Sequence, residues 1–312
     1  MTASSGPILV TGATGFVGAW ALDDLRRRYP GVEVWATSDR VAPPAGHPGP
    51  YRILDLGDEA GLRGLIRECR PGRVLHLAGA IGGGDVERLI AMNAGGTERL
   101  LRAIAEELPV ESVRVVLASS AAVYGPVYAA DQPVSEEHPL RPSTPYGISK
   151  AAQERAAISA GETTGLQVVR GRIFNLLGPG QPAHLVPMCF LSGLRKIRCG
   201  DEPPPLRVGN LLARRDFVDV RDAVLAMGVL LDHGEAGAAY NIASGEDIGI
   251  GDVLERLQAI EGLDVAVESD PARRGSGADD RIRADVTRIA KQTGWRASIS
   301  LDESLRDMWN KS

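Results

Sequence analysis

Short aliphatic runs, each followed by a stretch with apolar residues three or four apart, recur through the first half of the chain. Pro7-Ile-Leu-Val-Thr11 is the first run, and behind it Trp20, Leu22 and Leu25 lie among polar residues up to Arg28. That pair predicts a buried strand followed by a helix with one apolar face. Val32–Thr37, Tyr51–Leu56, Arg73–Gly79 and Ser112–Leu117 read as strands two to five. Helices are expected from near Asp58, and from Asn93 through Leu100, Leu101 and Ile104. Strands that alternate with helices lie parallel and are joined by right-handed crossovers, so the expected fold is α/β with a doubly wound sheet. Leu166–Gly171 continues the series as a sixth strand, and Tyr240–Gly245 is a later strand running into a turn.

The first strand-to-helix turn reads Gly12-Ala-Thr14-Gly15-Phe16-Val17-Gly18. Glycines at such a turn allow a tight bend, a close approach of backbone to a pyrophosphate, and close packing of helix on sheet. The turn is therefore a candidate dinucleotide site, in a Rossmann-type setting. At the end of the second strand a carboxylate pairs with a ribose 2′-hydroxyl, whereas a small residue with an arginine admits a 2′-phosphate. Ser38 holds the ribose position and Arg40 is close by, which leans toward NADP; Asp39 keeps NAD open. Asp55 has two readings, a contact to the adenine amino group or a helix cap. Ala78 and Gly79 are small enough to let backbone approach a cofactor, and His76, inside an apolar strand, is expected to be a satisfied core histidine.

Composition narrows the class. A 312-residue chain suits one large domain or two intimate ones, and a net charge of -5 without a basic arm argues against nucleic acid as a partner. Three cysteines without a Cys-x-x-Cys fit a reducing compartment, and five scattered histidines offer no metal-site spacing. Residues 1–7 lack an apolar signal core, and the apolar segment 223–231 is too short to cross a bilayer. A soluble, cytoplasmic protein with no membrane partner and no metal is expected.

The chemistry is expected at Tyr146-Gly-Ile-Ser-Lys150, which follows Ser-Thr-Pro at a helix start. Residues four apart share a helix face, so the Lys150 ammonium is expected near the Tyr146 phenol, favouring its ionised form. Ser119 and Ser120 fall at the carboxyl edge of the fifth strand, where parallel sheets place their ligands.

Gly12-x-x-Gly15-x-x-Gly18, Leu77-Ala78-Gly79, Asn93, Ser120-Ala-Ala-Val-Tyr-Gly125 and Tyr146-x-x-x-Lys150, in this order, resemble the extended short-chain dehydrogenase/reductases of the NAD-dependent epimerase/dehydratase family, which act on nucleotide sugars. The resemblance implies Tyr146 as general acid/base, Lys150 as the residue that lowers its pKa and holds the nicotinamide ribose, and Ser120 as donor to the reacting sugar oxygen. It also implies cofactor contacts from Gly12, Thr14, Gly15, Phe16, Val17, Gly18, Ser38, Asp39, Arg40, Asp55, Leu56, Leu77, Ala78, Gly79 and Asn93. Gly209–Asp222 resembles the GDP-mannose branch, nearest to GDP-6-deoxy-4-ketomannose reductases. Substrate contacts are then implied for Ser120, Asn175, Val186, Gly209, Asn210 and Arg215, and for Arg274 or its neighbour Arg273, while Asp216, Asp219 and Asp222 brace the segment. Trp295 is expected to pack.

Dehydratases of the family carry acidic residues just after the strand-five serine or threonine, and here Ala121 and Ala122 stand there. The resemblance therefore implies NAD(P)H-dependent reduction of the 4-keto group of an NDP-4-keto-6-deoxyhexose, GDP being the expected nucleotide. A 4-epimerase with resident NAD is the alternative, because Ser120-Ala-Ala-Val-Tyr-Gly is also close to the 4-epimerase pattern. A redox-sensing, non-catalytic member of the fold is the reading that the intact Ser120, Tyr146 and Lys150 argue against. Residues 1–177 and 212–243 are expected to form the cofactor domain and 178–211 and 244–312 a smaller substrate domain. The resemblance also implies a homodimer through the helix at 93–107 and the Tyr146 helix.

Overall fold

The computed structural model describes residues 6–40, 43, 46–82, 85–270 and 281–311. In chain order the first elements are β1 (Ile8–Thr11), α1 (Phe16–Arg28), β2 (Val34–Ser38), β3 (Tyr51–Ile53), α2 (Glu59–Cys69), β4 (Arg73–His76), α3 (Val86–Ile90), α4 (Gly96–Glu107), β5 (Arg114–Ser120), α5 (Pro145–Thr164) and β6 (Gln167–Ile173). After them come β7 (Asn175–Leu177), α6 (Val186–Cys199), β8 (Leu206–Val208), β9 (Arg214–Asp219), α7 (Val220–His233), β10 (Ala239–Ile242), β11 (Asp247–Gly249), α8 (Ile250–Glu261), β12 (Val267–Ser269), β13 (Arg281–Ile282), α9 (Thr287–Thr293) and α10 (Leu301–Lys311).

Seven strands form one sheet in the order β10-β6-β5-β4-β1-β2-β3, every pair parallel. Its central strands are buried on both faces, as parallel strands covered by helices must be. On one face α1 and α7 pack through Leu22, Leu25, Val224 and Met227, and on the other Leu62, Leu100, Leu101 and Ile104 of α2 and α4 close a second layer. Strand order reverses between β1 and β4, so a crevice opens beyond their carboxyl ends, which is where such sheets bind ligands.

A separate core joins α6, α8 and α10 through Phe190, Leu194, Val253, Leu257 and Leu305. Its sheet sets β9 against β7, β11 and β13, and β8 pairs with β12. Two groups of residues lie outside the division expected from sequence. Residues 175–177 and 214–219 pair in the small sheet rather than the large one, while Ile289 and Trp295 pack into the large core. The reason for the second is that Trp295 donates to the Asp222 carbonyl oxygen on α7, at 3.2 Å, and so is fixed as a packing residue.

The helix expected to open at Asn93 starts earlier. Asp85 caps it by accepting from the Glu87 amide, and it continues to Glu107 through a π-helical turn at Ala91–Gly95. That wide turn holds Asn93 fully buried, where its amide exchanges hydrogen bonds with the Ala80 backbone (2.7 and 3.0 Å) and donates to Ser149 on α5 (2.8 Å). Helix α5 itself begins as its sequence predicts, with Thr144 accepting from the Gly147 amide, Pro145 in the first turn and Gly165 in a left-handed conformation at the end. At α2 the cap is Asp58, which accepts from Gly61; Asp55 accepts from Gly57 in the turn before and is exposed. Among the described residues no helix is long and apolar enough to cross a membrane, and no group of three potential ligands is placed to hold a metal.

Candidate active site

Ser120 closes β5, and its hydroxyl accepts from the Ala122 amide at 3.2 Å, which starts a tight turn over Ala121–Val123. The N-terminal turn of α5 lies against this turn and brings Tyr146 into hydrogen bonding with Ser120. The expected lowering of the phenol by Lys150 is not what this geometry gives. Burial raises the Tyr146 pKa, and the Ser120 hydrogen bond opposes it only in part. Lys150 is buried and directs its ammonium to the Ala118 carbonyl oxygen at 2.6 Å. Burial lowers Lys150 to about 8, against the pull of the Glu154 carboxylate one turn along.

Glu154 joins the helix to the sheet. Its carboxylate accepts from Ser119 Oγ (2.6 Å), from Arg172 Nε and Nη2 (2.9 and 2.8 Å) and from Arg170 Nη1 (3.1 Å). Burial alone would raise this carboxyl, but the Arg172 fork and its charge hold it below the ordinary range. Arg172 also donates to the Tyr124 hydroxyl and stacks over that ring at 5.0 Å. His76 is the satisfied core histidine its setting predicts: it bonds to Thr11 and Thr97, and burial first, then Lys150, lowers it to about 3.

The glycine turn fits a dinucleotide. Gly12 has φ +69°, and a Cβ there would lie 2.7 Å from the Ala78 amide nitrogen. A Cβ on Gly18 would lie 2.7 Å from Ala13 Cα, so only glycines let α1 start this close to β1 and β4. No side chain caps α1 at Gly15, so its first amides are available to an anion. Thr14 Oγ1 lies 2.7 Å from Ser38 Oγ, and the same hydroxyl accepts from the Arg40 amide at 3.0 Å. Tyr51 donates to the Arg40 carbonyl oxygen at 2.6 Å, while the Asp39 and Arg40 side chains face solvent. Val17, Leu77 and Gly79 line the adjoining cavity, whereas Phe16 and Leu56 pack beside the turn and α4. Asn93 sits behind Gly79, whose added Cβ would come 2.9 Å from its Oδ1.

That cavity has a volume of about 1100 Å³ and runs between the two cores. Ser120, Tyr146, Lys150, Asn175, Val186, Gly209, Asn210 and Arg215 all line it. Arg273 and Arg274 lie outside the described residues. Asn175 donates to the Asp216 carbonyl oxygen at 3.1 Å. The three acidic residues brace the segment as expected. Asp216 accepts from Ser244, Gly245 and Ala284 while burial raises it to about 6, Asp219 caps α7 and pairs with Arg221, and Asp222 accepts from Ser298 and Ile299. Sequence reasoning missed Gln181, Lys196, Glu202 and Arg207, which also line the cavity. The usable signal was the spacing of Val186, Phe190, Gly193 and Ile197, a single helix face.

The family model for GDP-mannose 4,6 dehydratase matches residues 9–308. A GDP-6-deoxy-D-mannose reductase of Pseudomonas aeruginosa is 34% identical over 303 residues, covering 96% of this chain and 94% of its own. A dTDP-6-deoxy-L-talose 4-dehydrogenase (NAD(P)(+)) of Kitasatospora kifunensis is 30% identical, covering 97% and 94%. The solved structure of RMD from Pseudomonas aeruginosa complexed with NADPH superposes with a TM-score of 0.86 at 31% identity, covering 98% of both chains. This chain therefore belongs to the GDP-mannose 4,6 dehydratase family, within the extended short-chain dehydrogenase/reductases.

Proposed function

We propose that the enzyme reduces the 4-keto group of a GDP-linked 4-keto-6-deoxyhexose with NADPH. One observation carries the choice of reaction: among the described residues lining the cavity, Glu202 is the only carboxylate, and Ala121 and Ala122 follow Ser120. Dehydration needs a base for the proton on carbon 5, and among the described residues none lies beside Ser120 and Tyr146. Reduction needs none. Bound NADPH supplies the hydride. Tyr146 delivers a proton to the substrate oxygen as charge develops on it, Ser120 donates a hydrogen bond to the same oxygen, and Lys150 would hold the cofactor ribose.

Lys150, Lys196, Arg207 and Arg215 outnumber the one carboxylate along the cavity, which suits a diphosphate. NADPH is supported by Ser38 and Arg40 at the end of β2 and by the NADPH complex of the similar structure. GDP is supported by the substrate named for the 34% identical reductase. Residues 1–177 with 212–243 would hold the cofactor, with Asp55 and Leu56 toward its adenine. The remaining segments, together with Ser120, Asn175 and Arg215, would hold the sugar nucleotide, Arg274 reaching its phosphates. A cytoplasmic homodimer through α4 and α5 is part of the same reading, supported by the exposed apolar side chains of Met92, in the π-helical turn before α4, and of Ile148 on α5.

The test is to mix purified enzyme with NADPH and GDP-4-keto-6-deoxymannose and follow absorbance at 340 nm. Oxidation of NADPH with formation of a GDP-6-deoxyhexose is expected. Tightly held NAD released on denaturation, with interconversion of 4-hydroxyl isomers and no net oxidation, would transfer the assignment to a 4-epimerase. Sedimentation velocity at micromolar concentration checks the dimer.

A further inference from the structure

Helix α6 walls the cavity along one face, through Val186, Phe190, Gly193 and Ile197. Ten residues separate Val186 from Lys196, so the lined wall is about 15 Å long. Its start lies toward the cofactor turn: the loop before it passes Phe16, with an added Cβ at Gly180 4.0 Å from that ring. Its far end carries Lys196, whose ammonium pairs with Glu202 at 2.6 Å. Gly193 faces the Leu206 side chain of β8, and residues 202–206 line the cavity beside this end of the helix. A nucleotide sugar is a linear molecule, sugar first, diphosphate next, base last. With the sugar carbonyl at Tyr146, the base belongs at the Lys196 end, where Ile197, Pro204 and Pro205 supply an apolar surface for a flat ring.

An exposed ion pair at a helix end is ordinarily worth little. This one is set apart by its place on the cavity wall and by being the source of the only carboxylate there among the described residues. We propose that Lys196 and Glu202 read the nucleobase, Glu202 accepting from the N1–H and 2-amino group of guanine while Lys196 donates to O6. A carboxylate has two acceptor oxygens and no donor. Guanine offers two adjacent donors beside one carbonyl acceptor, so the pair matches it edge to edge. Uracil and thymine flank a single N3–H with two carbonyl oxygens, so the second carboxylate oxygen would face an acceptor. The site thus favours guanine and works against pyrimidines. This inference rests on the GDP-sugar reading above and assigns its base selectivity to two side chains.

Calorimetric binding of GDP, inosine diphosphate and UDP separates the inference from that reading. Inosine diphosphate lacks the 2-amino group and keeps O6. The wild-type enzyme is expected to bind GDP about tenfold to a hundredfold more tightly than inosine diphosphate, the range for one hydrogen bond to a charged group. Glu202→Ala is expected to bring that ratio near one. Lys196→Ala should weaken both ligands and leave their ratio unchanged, and thermal melts of both variants confirm folding. A wild-type enzyme that prefers GDP to UDP yet binds inosine diphosphate equally well overturns the inference alone, as does a Glu202→Ala variant that keeps the ratio. Tighter binding of UDP than of GDP overturns the GDP reading and the inference with it.

Discussion

Replacing Glu154 by leucine tests what holds Ser120 and Tyr146 in register. The carboxylate takes four hydrogen bonds, from Ser119, from Arg170 and two from Arg172, and it is 1% exposed. Leucine fills most of its volume but leaves both guanidinium groups without a counter-charge, one of them almost fully buried. Removing one partner of a buried pair costs about 3–5 kcal/mol. Unfolding entropy of about 2.1 cal/mol/K per residue over the chain gives about 0.65 kcal/mol per degree, so Tm should fall by about 5–8 °C. The assay is thermal denaturation followed by circular dichroism at pH 7 and again in acid. Glu154 has its carboxyl pKa depressed in the folded protein, from an ordinary value of 4.5. Its contribution is therefore complete above that value and disappears as pH falls through the depressed one, so the gap between variant and wild type should close in acid. The paired variant Glu154→Leu, Arg170→Leu removes one stranded cation and should recover part of the loss. A fall of less than about 2 °C at pH 7, or a gap that does not change with pH, would refute the charge account of this network.

Other outcomes follow from the same site. Tyr146→Phe should lower kcat by about a hundredfold to ten-thousandfold, the range for a general acid/base, while NADPH affinity and Tm stay near wild type; stopped-flow NADPH oxidation and fluorescence titration check the two halves. Lys150 is held at about 8 by burial, with Glu154 opposing. It should therefore be charged below that pH and neutral above it, so NADPH affinity should decline as pH rises past about 8. Lys150→Met should flatten the decline. Arg40→Ala should narrow the preference for NADPH over NADH by about tenfold or more, measured as the ratio of kcat/KM values, because a charged hydrogen bond to a 2′-phosphate would be lost.

Much of the fold was legible because its signals are local. The β1 run and the Gly12–Gly18 turn announce themselves through aliphatic strand residues and glycines that only one backbone path requires. Thr144 and Pro145 mark the start of α5 in the same way. What stayed hidden depends on where side chains land after folding. The helix was expected to open at Asn93, ahead of Leu100, Leu101 and Ile104, yet Asp85 caps it and the π-helical turn carries Asn93 inward. Tyr146 and Lys150 share a helix face, but spacing cannot reveal that the Ala118 carbonyl oxygen meets the ammonium first, or that burial outweighs the Ser120 hydrogen bond at the phenol. Glu154, Arg170 and Arg172 belong to a helix and a strand 16 and 18 residues apart, and nothing local marks them as partners. The far wall of the cavity was unreadable for the same reason, since Glu202 enters it from the turn between α6 and β8, where it meets Lys196.

The strand order has a consequence for synthesis on the ribosome. Strand β6 ends at Ile173, but its outer neighbour β10 begins only at Ala239, after α6, β8, β9 and α7 have been made. At about 5–20 residues per second the outer edge of β6 waits about 3–13 s for its partner. An unpaired strand edge is a template for pairing with another chain. Translation speed between these two strands then sets how long that edge stays open. Slow codons placed there should lower soluble yield, while the same codons placed after Ile242 should leave it unchanged.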